Sequence, residues 1–361
     1  VWKPEDPYND LPPLEAANLE SVAVLKALPA ARAAVAALDQ AVKRLPNPGV
    51  LISAIPLLEA KASSEIENIV TTTDELFSYS GEFDAATPPA VKETLHYREA
   101  LFAGFKSVKN RPITLQTAEL VCSTVKNAQM RVRDYTGTYI GDPVTREARY
   151  TPPVGRDVIV KKMHDWERFI NTAAREQNID PLVVMAAAHY QFEAIHPFSD
   201  GNGRTGRILN VILLNQEGLL AEPILYLSRY IIEHKDEYYR QLRLVTSDGD
   251  WEGWILFMLA GVRETAQKTL QLIDAIQELQ NGFRAKLRDA QGLTVDANLL
   301  ELLFKNPYCR IGDVVKHCGV SRPTATSWLR RLVEEGLLHE VRRGRERLFI
   351  NQEFMRVLER A

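Results

Sequence analysis

Residues 204–217 read as a helix stopped at Gly218, and its apolar side chains Ile208, Leu209, Val211, Ile212, Leu213 and Leu214 cover most of its circumference. A helix apolar on nearly every side has no face for water. This one is too short to span a membrane, so it must be packed inside other helices. The chain supplies them. Helical periodicity recurs over 25–42, 53–69, 88–108, 115–130, 180–194 and 251–280. Pro46 and Pro48 close the first, and Pro56 is expected in the first turn of the second, where a missing N–H does no harm. Asp180 followed by Pro181 is an N-cap with a first-turn proline. The one β-prone stretch of the first half is 136–153, rich in Thr, Tyr, Val and Gly. A mainly α fold with one small β-hairpin is expected.

A length of 361 residues favours two or three domains. Hydrophobic residues at 45% and charged residues at 25% exclude disordered, collagenous and disulfide-scaffold classes. With 44 Lys+Arg against 47 Asp+Glu, no bulk charge announces a nucleic-acid or membrane partner. Three cysteines without a CxxC spacing fit a reducing compartment and no structural zinc. The acidic, proline-bearing start is unlike a signal peptide, and no apolar run reaches the ~18 residues of a membrane span. A cytoplasmic protein with no membrane partner is expected. Charge is uneven: residues 295–361 hold 12 Lys+Arg and 9 Asp+Glu, a local +3, and the remainder carries −6. The step coincides with a polar stretch over 282–294, read as a domain boundary.

Between the helices at 180–194 and 204–217 lies His196-Pro197-Phe198-Ser199-Asp200-Gly201-Asn202-Gly203-Arg204-Thr205-Gly206-Arg207. Gly201, Gly203 and Gly206 match the dinucleotide fingerprint GxGxxG, but that motif needs a strand before it. About 14 residues of helical pattern stand there instead, so the Rossmann reading fails. No GK[ST] sequence occurs, which removes a P-loop.

What the segment offers is an anion site. Gly201 and Gly203 let backbone N–H groups approach an anion at the start of a helix, where the dipole favours negative charge. Arg204 and Arg207, three apart, project two guanidinium forks from one side of the first turn. Asp200 can hold Mg²⁺ through one carboxylate plus substrate phosphates. His196 is near enough to take a proton from an attacking hydroxyl. Taken singly, a histidine beside a proline is usually a loop or core residue, and an aspartate in a turn is usually a cap. Arginines in a first turn oppose the dipole, however, and one anion explains all of these residues together. Phosphoryl or nucleotidyl transfer is the chemistry they describe.

The run resembles the Fic-family signature HxFx(D/E)GNGRxxR at every position, and the wider likeness covers roughly residues 11–265. The resemblance implies a helical core that transfers AMP from ATP to a Ser, Thr or Tyr hydroxyl of a target protein, with Mg²⁺. His196 would be the general base, Asp200 the metal ligand, and Phe198 the anchor of the loop. Gly201, Asn202 and Gly203 would form the anion hole; Arg204 and Arg207 would neutralise the outer phosphates. Thr205 and Gly206 complete the implied ATP-binding segment. A relative that phosphorylates its target has Lys at the place of Gly203, so the glycine favours AMP transfer. Residues 144–153 resemble the family's flap, a hairpin that would clamp an extended target segment by strand addition. Residues 237–242 resemble the adenine and ribose pocket, with Tyr239 and Leu242 as the matching positions and Thr246 where some relatives have Asn.

Ser63 and Glu67 lie four apart on one helix face, followed by Asn68. Alone this is an ordinary solvated pattern. Beside the signature it resembles the inhibitory (S/T)xxxE(G/N) motif, in which Glu67 would pair with Arg207 and leave ATP in a pose unsuited to attack. The expected domains are therefore 1–90 with the inhibitory helix, 91–281 as catalytic core, and 295–361.

That last unit shows helical patterns at 296–304, 311–318 and 321–335, with Ser321 as N-cap and Pro323 in the first turn. Alternating stretches at 337–341 and 345–350 flank a basic tip, Arg342-Arg343-Gly344. The pattern resembles a winged helix-turn-helix. In a DNA reading over 311–350, Arg322, Thr324 and Ser327 face the major groove while Arg343 and Arg345 touch phosphates. A protein-binding or dimerisation role, giving a homodimer, is the alternative. Two further functions stay open: a nucleotide-sensing transcription regulator, and a hydrolase in which Glu67 aligns water to remove AMP from a modified target.

Overall fold

The computed structural model describes residues 2–14, 17–45, 48–80, 87–141, 147–289, 297–343 and 346–360. Helices α1 (Val22–Lys43), α2 (Gly49–Ile66), α3 (Thr73–Tyr79), α4 (Pro89–Ser107) and α5 (Leu115–Lys126) come first. A small antiparallel pair, β1 (Ile140–Gly141) and β2 (Ala148–Tyr150), follows. Next are α6 (Arg156–Glu176), α7 (Pro181–Ile195), α8 (Asn202–Gln216), α9 (Leu227–Glu233), α10 (Lys235–Asp248) and α11 (Trp251–Asp289). The chain ends with α12 (Ala297–Lys305), β3 (Tyr308–Arg310), α13 (Ile311–Cys318), α14 (Arg322–Glu334), β4 (His339–Arg343), β5 (Glu346–Ile350) and α15 (Gln352–Arg360). Its three strands form one antiparallel sheet of order β3-β5-β4.

The mainly helical expectation holds, and α8 is the central helix. Ile208, Leu209, Val211, Ile212, Leu213 and Leu214 are all buried, and α8 is packed by α7, α4, α5 and α2. Helix α7 is apolar in the same way and starts at the expected cap: the Asp180 carboxylate accepts the Leu182 N–H at 2.8 Å. Ser321 caps α14 by accepting the Thr324 N–H at 3.3 Å. No described helix is long and apolar enough to cross a membrane.

Two local expectations are corrected. Helix α2 begins at Gly49, so Pro56 lies in its interior, beyond the first turn. Burial decides this: Val50, Leu51, Ala54 and Ile55 already face the core before the proline, extending the apolar pattern backwards. Likewise α11 does not stop before Gly282 but runs 39 residues to Asp289. Phe283 and Leu287, four apart, are buried there, and Phe283 meets Phe304 of α12 edge-on with centroids 5.6 Å apart. The remaining expected boundary residues, 290–294, lie outside the described residues.

The C-terminal part is fastened to the N-terminal helices. Helix α12 packs on α2, and Asn306 Nδ2 donates to Ser80 Oγ at 2.8 Å just after α3. The Tyr308 hydroxyl donates to the Asp74 carboxylate at the start of α3.

Candidate active site

The loop between α7 and α8 is shaped by its own backbone. His196 caps α7 in the left-handed region, φ 49°, and turns the chain out of the helix. Phe198 is fully buried against Phe192 and pins the loop to the core. Asn202 closes the turn: its Oδ1 accepts the Phe198 N–H at 2.9 Å and its Nδ2 donates to the Phe198 carbonyl at 2.8 Å. The Asn202 side chain is thus fully engaged in holding the turn. Gly201, at φ 79°, takes the conformation that a side chain rarely adopts and starts α8.

His196 is held from behind. Arg133 Nε donates to the His196 carbonyl at 2.8 Å, and Arg133 Nη2 donates to the Pro153 carbonyl at 2.5 Å. Burial, then the Arg133 charge, push the imidazole pKa down to about 4; Glu67, the Glu193 carbonyl and Asp200 oppose this. At neutral pH the ring is uncharged, the form that accepts a proton. Beside it on the last turn of α7, burial pushes the Glu193 carboxyl up to about 7, with the Arg207 charge opposing.

The two arginines are both buried and both paired. Arg207 Nη2 donates to Glu67 Oε1 at 2.7 Å and to the Ser63 carbonyl at 3.0 Å, and its Nε donates to Ser63 Oγ at 2.8 Å. The expected Ser63, Glu67 and Arg207 therefore meet. Asn68, next to them, is in the left-handed region at φ 62°, which explains a Gly or Asn at that place after the helix. Burial would raise the Glu67 pKa, but Arg207, then Arg204 and His196, hold it below the usual range. Gly203 lies beneath this pair: a Cβ there would meet Glu67 Oε1 and lie 3.0 Å from Arg207 Nη1. Arg204 Nη1 donates to Glu93 Oε1 of α4 at 2.7 Å, and its Nε has no partner among the described residues.

Asp200 stands at the start of α8 with its side chain 62% exposed and paired to Lys126 Nζ at 2.6 Å. Burial pushes its pKa up; Lys126 and the Gly201 N–H outweigh that and hold it down. Thr205 and Gly206 face inward instead of towards the loop's opening. Thr205 is buried, and a Cβ on Gly206 would stand 2.8 Å from Glu193 Oε1.

On α10, Tyr239 is 42% exposed, and after burial the Glu67 charge is the main cause of its raised pKa, which places it on the Glu67 side. Leu242 is half-buried. Thr246 is engaged with the Tyr190 hydroxyl at 2.9 Å. Tyr150 of β2 donates to the Ala194 carbonyl at 2.7 Å, fastening the hairpin beside His196. Of the expected flap, residues 144–146 lie outside the described residues. Sequence reasoning missed Arg133, Glu93 and Lys126, single charges without a local pattern that only the tertiary packing recruits.

These helices and the small hairpin form the Fic fold. The model of the Fic/DOC family matches residues 117–214, so the chain carries a Fic-family domain. The Fic/DOC family N-terminal model matches 25–106, and that of the protein adenylyltransferase SoFic-like C-terminal domain matches 276–354. A Fic family protein from Desulfovibrio desulfuricans G20 superposes with TM-score 0.55 at 20% identity, over 92% of this chain and 96% of its own. Fic-1 from C. elegans superposes with TM-score 0.51 at 19% identity, over 67% and 71%. Protein adenylyltransferase Fic of Drosophila ananassae is 28% identical over 161 residues, 44% of this chain. The match spans 30% of that relative's length.

Proposed function

We propose that this chain is a protein adenylyltransferase that moves AMP from ATP to a Ser, Thr or Tyr hydroxyl of a target protein and of itself, held back by Glu67. The observation that carries it is the half-buried His196, turned out of α7 in the left-handed region a few residues before the glycine-lined start of α8, where burial of the ring lowers its pKa and favours the proton-accepting form. The hydroxyl proton passes to the imidazole as the oxygen attacks the α-phosphorus. The bond from that phosphorus to the β-phosphate oxygen breaks and pyrophosphate leaves. The N–H groups at the start of α8 face the phosphates, and Arg207, once free of Glu67, meets the outermost. Tyr239 and Leu242 line the nucleoside side, and the β1–β2 hairpin receives the target's extended segment.

Asp200 suits Mg²⁺, which binds through one or two carboxylates with phosphates and water completing its shell. No cluster of three metal-ligating side chains occurs among the described residues, so Asp200 would be the protein's own donor here and the rest of the shell would come from phosphates and water. When bound, the ion would neutralise phosphate charge. The test is incubation with ATP labelled at the α-phosphorus and Mg²⁺, with and without lysate. Labelled protein that disappears in His196→Ala supports transfer, and label persisting within tenfold in that variant removes His196 from its role. Loss of label from an already modified target on adding wild type would support hydrolysis instead.

Residues 295–361 read as a winged helix-turn-helix, supported by the order α12-β3-α13-α14-β4-β5 and by Arg322, Ser327 and Arg330 exposed along α14. Arg345 at the expected wing tip, and the side chain of Arg343, lie outside the description. A DNA shift without AMP transfer would favour the nucleotide-sensing regulator; a protein partner or second copy on α14 is the other reading of this unit.

A further inference from the structure

Lys126, the last residue of α5, lies between two carboxylates. Its Nζ is 2.6 Å from Asp200 Oδ2 and 3.4 Å from Glu93 Oε1. Its stem runs beneath the loop: a Cβ on Gly201 would come within 3.3 Å of Lys126 Cγ and Cδ. Glu93 is itself fixed by Arg204 at 2.7 Å. The Cys122 thiol donates to the Asp200 carbonyl at 3.3 Å, so the loop is tied to α5 at two points.

We propose that Lys126 is a positioning residue of the cation site: it occupies Asp200 in the place of a divalent ion and swings to Glu93 when the ion binds. This rests on the reading of Asp200 as a Mg²⁺ ligand. An ammonium in contact with a carboxylate oxygen blocks the lone pairs that a metal needs, and two cations at such a separation repel. The ammonium is a compact charge on a flexible stem, so it can move without moving the helix. Because Glu93 already lies within reach, displacement from Asp200 leaves the partly buried ammonium with a carboxylate partner. Two consequences follow. Cation affinity at Asp200 is lower than an unopposed carboxylate would give, and the empty site does not present bare negative charge to arriving phosphates.

The full chain is titrated with Mn²⁺, bound ion being read from loss of the free-Mn²⁺ paramagnetic resonance signal, with and without α,β-methylene ATP. Lys126→Met and Lys126→Gln keep the stem and remove the charge. Both should bind Mn²⁺ about three- to tenfold more tightly, while Lys126→Arg stays near wild type and Asp200→Ala loses the site. Unchanged or weaker binding in both neutral variants, with Asp200→Ala still abolishing it, overturns the inference and leaves Asp200 a ligand. Binding that survives Asp200→Ala overturns the metal assignment and this inference with it. Melting curves within a few degrees of wild type identify the variants as folded, and two neutral side chains keep the test decisive should one fail to fold.

Discussion

Removing a charged residue beside an active site ordinarily lowers activity; Glu67→Gly should raise it. In the wild-type chain Glu67 Oε1 takes one charge-assisted hydrogen bond from Arg207 at 2.7 Å, while Ser63 takes two more. The substitution therefore releases the guanidinium on one side without stranding it. Glu67 is 36% exposed, which places the pair between a surface pair of about 0–1 kcal/mol and a charged hydrogen bond of about 1.5–3 kcal/mol. About 1–2 kcal/mol is a fair value. Glu67 is the C-cap of α2 and not an interior residue, so glycine adds little of its usual helix penalty. If that energy keeps Arg207 from the nucleotide, its release raises AMP incorporation about five- to thirtyfold. The measurement is incorporation from α-labelled ATP at saturating nucleotide for wild type, Glu67→Gly, Arg207→Ala and the double variant. The double variant should be inactive, because the gain acts through Arg207. Should Glu67→Gly be no more active than wild type, Glu67 is not a brake, and a hydrolytic or purely structural role takes its place.

Asp200→Ala should lose Mg²⁺-dependent labelling with its melting temperature within about 2 °C of wild type, since an exposed loop carboxylate adds little packing; an unfolded variant would make Asp200 structural. His196, with a folded pKa near 4 against ~6.5 unfolded, refuses a proton that the unfolded chain accepts. Its contribution to stability is thus complete above about pH 6.5, is lost as pH falls towards 4, and is level below that. Ring nitrogen-15 shifts should remain those of neutral imidazole at pH 6, and a protonated ring at that pH would refute the burial argument.

The parts legible in the sequence were those with a local physical signature. Helix α8 is marked by apolar side chains over most of its circumference, and α7 by the Asp180 cap and Pro181. The Ser63–Glu67 spacing placed both residues towards one neighbour, and that neighbour is Arg207. Helix α11 was cut short because Gly282 and the polar residues after it outweighed the Phe283–Leu287 repeat, whose partner Phe304 is supplied by a later helix. Pro56 misled because the core contacts that lengthen α2 lie before it. Arg133, Glu93 and Lys126 were illegible for another reason. Each is one charge among many, and what singles it out is a carbonyl or a carboxylate brought there from a distant helix or loop.

Gly203 has a consequence for how such a chain can change over generations. The room left by its missing side chain is occupied by the Glu67 carboxylate, on the same ground that the proposed phosphates would approach. A side chain at 203 would displace the Glu67 carboxylate and press on Arg207, and on the proposed reading it would also change how the phosphates are held. If Glu67 is the proposed brake, a change at 203 that removes it therefore alters the proposed AMP transfer at the same time. The freedom to retune lies in α2, where Glu67 can be shortened or withdrawn while the twelve-residue loop stays as it is. Variation in control should accordingly accumulate at 63–68, and the loop should record the chemistry alone.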